Sequence, residues 1–166
     1  MSPDWIKYES KGGADRKEPA KQIDFTPIKF DSVDDKLFDT IAESVAKAIS
    51  KDGRTTWDKK GKCWKEGKNL IQNKSTQLRK FYDELNMWHD KVFEYGVDRE
   101  AKYKELAPFI KMLCAKVTYA KGREHVSEGF EKLFTHVIRA VNSPATLKHA
   151  KLFIEAFMGF YKAEEK

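Results

Sequence analysis

STQLRKFYDELNMWHDKV, residues 75–92, decides the fold class. Within it Leu78, Phe81, Leu85, Trp88 and Val92 recur at alternating steps of three and four, the spacing of one face of an α-helix. Ser75 or Thr76 offers the side-chain oxygen that caps such a helix. The same period continues outward in both directions. Upstream, Leu37, Ile41, Val45, Ala48 and Ile49 predict a helix that opens after Asp34 and stops at Gly53. Downstream, Leu106, Phe109, Leu113, Val117 and Ala120 form a seam between Asp98 and Gly122. Pro108 interrupts that seam, so a kink or short break is expected, with Pro108 in the first turn of the longer piece. Phe130, Leu133, Phe134, Val137, Ile138 and Val141 make a further apolar face. Ser143 and Pro144 then start a last helix, with Leu147, Ile154, Phe157 and Tyr161 facing inward. No alternating period-two run competes. The reading is an all-α protein, a compact bundle of about five helices.

Residues 1–33, with Gly12, Gly13, Pro19 and Pro27 among mixed charges, show no sustained period and read as an extended N-terminal arm ordered only by partners. Residues 34–166 read as a single helical-bundle domain. Inside it, residues 51–68 hold three glycines and seven basic against three acidic residues, a basic connector rather than a core element.

The chain carries 32 basic and 26 acidic residues, a net charge of +6, and residues 1–35 contain six of the basic and eight of the acidic ones. The remainder therefore holds +8, which favours a polyanion or an acidic protein surface. No stretch reaches the roughly 18 apolar residues of a membrane span, and the first residues lack the apolar run of a signal peptide, so a cytoplasmic protein with no membrane partner is expected. Cys63 and Cys114 stand far apart without a CxxC, so reduced thiols and no metal site are expected. His89, His125, His136 and His149 fall on separate helices or near caps, without HExxH. No phosphate-cradling glycine loop is present. The chain reads as non-enzymatic and free of cofactors. A metal nuclease built on Asp83, Glu84 and Asp90 is the least favoured alternative.

What remains is a pattern of cations with aromatic neighbours, which suits a nucleic-acid strand because cations track phosphates while rings stack on bases. In the connector, Trp57 and Trp64 alternate with Arg54, Lys59, Lys60, Lys62, Lys65 and Lys68; the structural alternative is that a tryptophan anchors the loop on the bundle. At the start of the 75–92 helix, Arg79 and Lys80 lie off the apolar seam with Ser75 and Gln77 nearby. Free backbone donors there would suit a phosphate, against the alternative of a solvated face with an Arg79–Asp83 pair. At residues 115–123, AKVTYAKGR, Lys116, Lys121 and Arg123 project near a helix C-terminus, where cations also complement the helix dipole.

Two of these stretches together, STQLRKFYDE at 75–84 and YAKGR at 119–123, set either side of a proline-containing helix, resemble the small subunit of type III-A (Csm) CRISPR interference complexes. The similarity runs from about Leu70 to the C-terminus and does not extend to residues 1–68. It implies a non-catalytic subunit of a ribonucleoprotein, stacked in several copies beside guide RNA and target RNA. Its implied partners are other copies of itself, the CRISPR backbone subunits and the large polymerase-type subunit, which hold the nuclease and cyclic-nucleotide chemistry. By matching positions, Arg79, Lys80 and Arg123 are implied to face RNA, with Lys116 and Lys121 as weaker additions. The related type III-B (Cmr) small subunit, and a basic helical adaptor between proteins, are the alternatives.

Overall fold

The computed structural model describes residues 23–165. A turn of π-helix, Leu37–Ile41, runs into α1 (Ala42–Arg54); a two-stranded antiparallel hairpin follows, β1 (Thr55–Asp58) and β2 (Cys63–Glu66). Then come α2 (Ser75–Val92), α3 (Arg99–Lys111), α4 (Leu113–Gly122), α5 (Glu128–Arg139) and α6 (Pro144–Glu164). Counting α3 and α4 as one interrupted rod, these are the five helical regions expected from the periodicity. The longest helix, α6, packs along α1 on one side and α2 on the other, while α4 lies against α5.

The core is aromatic. Phe30, Phe130, Phe134, Phe153, Phe157 and Tyr161 are all buried; the rings of Phe130, Phe134, Phe157 and Tyr161 meet in a chain of contacts that Phe81 joins from α2, and Phe30 meets Phe153. Helix starts follow local chemistry: Asp98, Ser127 and Ser143 each accept a hydrogen bond from a first-turn amide, and Ser143 with Thr146 completes a capping box ahead of Pro144.

Asn73 joins the elements. It is fully buried with φ of 59°, a left-handed conformation that asparagine tolerates better than most residues. Its backbone N–H donates to the His125 carbonyl at 3.1 Å, and its side-chain amide donates to the Ser127 hydroxyl at 2.7 Å and the Ile49 carbonyl at 3.3 Å. Its side-chain oxygen accepts from the Ser127 N–H at 2.7 Å, and its carbonyl accepts from the Tyr161 hydroxyl at 2.5 Å. One residue therefore ties α1, the entry to α2, the α4–α5 turn and α6.

Five expectations need correction. The arm does not extend to residue 33: residues 1–22 lie outside the described residues, but Ile28 and Phe30 are buried in the core. His136 and His149 hold them there, their ring nitrogens donating to the carbonyls of Ile28 at 3.0 Å and Phe30 at 2.8 Å. Two apolar side chains that show no period can still fill holes in a preformed bundle. Second, α1 runs through Gly53 to Arg54. Residues 71 and 72 cross so closely that a Cβ on Gly53 would sit 2.8 Å from the Gln72 carbonyl. The glycine serves close approach, not termination. Third, the connector contains a β-hairpin that no apolar alternation announced, because its cross-strand pairs and not burial hold it together. Fourth, Pro108 sits inside the last turns of α3 and the break comes at Met112, since the burial of Ile110 and Leu113 keeps the chain helical past the proline. Fifth, Phe109 is not in the seam but half exposed, stacked on Trp88 at 5.9 Å.

Three substitutions test this arrangement. Asn73→Ala should destabilise by roughly 3 kcal/mol through the orphaned buried partners. Asn73→Gly should cost about 1 kcal/mol less, because it keeps the positive φ. Phe30→Ala should cost about 3–5 kcal/mol. Urea unfolding measures all three, and an unchanged midpoint for Phe30→Ala would show that the segment does not contribute to the core.

Candidate nucleic-acid interface

Two contacts fix the relation of α2 to α4. The entry of α2 is bonded to the end of α4 through Asn73 and His125, and farther along Glu84 of α2 pairs with Lys116 of α4. As the sequence advances from 73 to 84 on one side it retreats from 125 to 116 on the other, so the helices run antiparallel.

At about 100° per residue, Lys80 lies roughly 40° from Glu84 around α2, and Gln77 roughly 20°, so both line the edge toward α4. Lys80 Nζ donates to Gln77 Oε1 at 3.5 Å. Lys91 is on the same edge, its ammonium 5.2 Å from the centre of the Trp88 ring. Across the gap, Phe109, Met112, Lys116, Tyr119 and Arg123 follow one another at steps of three and four along α3 and α4. Backbone bonds from Met112 to Pro108 and from Lys116 to Met112 keep that line straight across the break. Phe109, Met112 and Tyr119 are 50%, 55% and 66% exposed. Arg123 is exposed, its guanidinium 5.8 Å from the centre of the Tyr119 ring and donating to its hydroxyl at 3.2 Å. The α2–α4 edge is thus a row of cations alternating with exposed rings and one methionine, crossed by one ion pair.

The other sequence-derived residues sit elsewhere. Arg79 is roughly 140° from Glu84 around α2, on the edge it shares with Met158, Gly159 and Lys162 of α6. It is well exposed, with Asp83 at 3.7 Å, a surface pair of small energetic weight. Lys121 lies roughly 140° around α4 from Lys116, toward the α5 side where Thr118 donates to Glu131. So Lys80, Gln77, Lys116 and Arg123 come together, while Arg79 and Lys121 flank them on opposite sides. Lys91, Phe109, Met112 and Tyr119 were missed as site residues. Their signal was present, since exposed apolar side chains spaced like a seam but offset from it mark a second face; only packing separates the two.

The start of α2 is not open. Lys74 holds the cap position without a side-chain bond, so neither Ser75 nor Thr76 caps the helix. The Ser75 N–H donates to Glu165 Oε1 at 2.9 Å, which places a carboxylate where a phosphate was expected. Partial burial disfavours the charged form of Glu165, but hydrogen bonds from Lys162 and Ser75 outweigh it and hold the group below the usual glutamate range. The carboxylates considered for metal chemistry are likewise engaged: Asp83 with Arg79, Glu84 with Lys116, and Asp90 with His89 at 3.1 Å. Among the described residues, no group of three or more histidine, cysteine or acidic side chains converges on a common point.

In the hairpin, Trp57 and Trp64 face each other across the strands, ring centres 5.4 Å apart and edge to face. Lys59 and Lys60 occupy the exposed turn. Among the described residues, no helix is long and apolar enough to cross a membrane.

Because the folded pKa of Glu165 is depressed, its contribution to stability is complete above the ordinary glutamate range and is lost as pH falls through the folded value. The unfolding free energy should therefore drop more steeply between about pH 5 and pH 3 in the parent chain than in Glu165→Gln. Parallel curves from urea titrations at each pH would show that the contact is not formed.

The family model described as Csm2 Type III-A matches residues 58–166, from the end of β1 to the C-terminus. No curated protein and no solved structure gives a match.

Proposed function

This chain belongs to the Csm2 family, the small subunit of the type III-A CRISPR-Cas (Csm) complex, and from that premise we propose that it grips the ribose-phosphate backbone of target RNA along the α2–α4 edge. The observation that carries the reading is the convergence of Lys80, Lys116 and Arg123 on one exposed line with Gln77 and Tyr119 between them. Cations in a row suit the regular charge of a strand or guide–target duplex, and a binding mode confined to phosphates is indifferent to base identity. Sequence choice belongs to guide pairing in such an assembly, so the protein needs shape and charge alone. Arg79 and Lys121, on the flanks, are secondary contacts in this reading, whereas Ser75 is engaged by Glu165.

The subunit works without catalysis and without a cofactor, in the cytoplasm, in several copies beside the guide RNA, the backbone subunits and the large subunit. The half-exposed Phe109 and Met112 at the far end of the same edge favour contact with a neighbouring copy, since large apolar groups in a row mark protein surfaces.

Replacing Lys80 and Arg123 by alanine together should weaken target-RNA retention by the assembled complex and reduce the slope of log Kd against log salt by about 1.5. Arg79→Ala should reduce it by less. Retention of the double variant equal to the parent at every salt concentration refutes the grip; so does assembly of the complex from components fully digested with ribonuclease, which an RNA-independent adaptor would tolerate.

A further inference from the structure

We propose that the β1–β2 hairpin is a stiff finger that carries a second phosphate-binding point, formed by Lys59, Lys60 and Lys62 at its turn, with the two tryptophans acting as its brace and not as base-stacking platforms. The proposal rests on the RNA reading above and goes beyond it to a separate element, whose first three residues precede the family match.

The brace is visible in the strand pairing. Trp57 stands opposite Trp64, Asp58 opposite Cys63 and Thr56 opposite Lys65. An edge-to-face tryptophan pair across two short strands stabilises a hairpin that is otherwise marginal on its own. The Trp64 indole nitrogen is shut off from solvent, so this ring is turned into the fold and not splayed outward for a base. At the base of the finger Arg54 reaches Glu66 at 3.2 Å and the Glu164 carbonyl at 3.4 Å, anchoring the strands to the ends of α1 and α6.

Charge separates along the finger. Its two acids are engaged away from the turn lysines: Asp58 pairs with Lys65 at 2.5 Å, and Glu66 with Arg54 at the end of α1. The Asp58 carboxylate also accepts from the Lys60 N–H at 3.0 Å, which shapes the turn. Lys59, Lys60 and Lys62 are all exposed, and among the described residues no acidic group pairs with any of them. Three uncompensated ammonium groups within four residues, on a braced element, form a concentrated point charge.

That chemistry favours phosphate over a protein surface. Protein interfaces centre on buried aromatic, methionine and arginine side chains and are depleted in lysine. The turn offers only lysines, one glycine and an exposed cysteine beside it, whereas lysine suits phosphate as a mobile, non-directional charge. Nothing in the turn reads base edges, so the contact is independent of sequence.

The test uses the full chain and a labelled single-stranded RNA of defined length, titrated from low to high salt. Lys59→Gln, Lys60→Gln and Lys62→Gln together should reduce the slope of log Kd against log salt by about 2 and weaken binding about ten-fold or more at 0.1 M salt. An unchanged unfolding midpoint is expected, since all three side chains are exposed. Trp57→Ala with Trp64→Ala should weaken binding through loss of the finger, and Trp57→Phe with Trp64→Phe should restore most of it, as a brace requires and a tryptophan-specific stacking platform does not. An unchanged slope in the triple lysine variant overturns the proposal, as does an altered sedimentation of the RNA-free chain with unchanged RNA affinity, which would assign the finger to a protein contact. Run beside Lys80→Ala with Arg123→Ala, the two readings separate. Loss only in the α2–α4 variant removes the finger and leaves the grip; loss only in the hairpin variant does the reverse.

Discussion

The architecture depends on one buried asparagine. Asn73 accepts two hydrogen bonds and donates three while holding a left-handed backbone, and the bonds reach α1, the α4–α5 turn and α6. Only a short amide side chain meets both demands, because it supplies a donor and an acceptor and tolerates positive φ without a bulky Cβ substituent. The consequence is functional as well as structural. By fastening the start of α2 to the end of α4, Asn73 sets two helices antiparallel and brings the cations of one alongside those of the other. Without that fastening, Lys80 and Arg123 would belong to unrelated surfaces.

Intramolecular pairing then decides which charges face outward. Glu84, Asp83 and Asp58 each take a basic neighbour, and Glu165 takes the first amide of α2. Such surface pairs contribute little to stability. Their effect on the field is larger, since they neutralise lysines and arginines selectively and leave others to act. Lys116 is tempered by Glu84, whereas Lys80, Arg123 and the lysines of the hairpin turn are not. A net charge of +6 spread evenly would give a weak, featureless attraction; in the proposed reading the cations of the α2–α4 edge and of the hairpin turn are the ones that act.

The helical regions were readable because a 3.6-residue period with apolar seams and capping residues leaves few other ways to bury phenylalanine. All-α architecture, the helix starts near Asp98 and at Ser143, and the inward faces of α5 and α6 follow from that. The short segment around Ile28 and Phe30 was not readable. Two side chains filling a gap beneath His136 and His149 make no period, and their partners are more than a hundred residues distant. The hairpin was hidden for a related reason, since its strands are too polar to alternate and its brace is a pair of residues that only the turn brings face to face.

For the candidate site, the sequence by itself determined which helices carry lysine and arginine. It also grouped Arg79 with Lys80, as neighbours on one helix. Tertiary structure divided them, because adjacent residues on a helix point about 100° apart and α2 is flanked by α4 on one side and α6 on the other. Lys80 consequently joins Lys116 and Arg123 while Arg79 turns to α6, and the open end of α2 is closed by Glu165, a carboxylate ninety residues away. Local sequence sets what a side chain can do. Which neighbours it does it with is decided by long-range packing, to which a local pattern of residues carries no pointer.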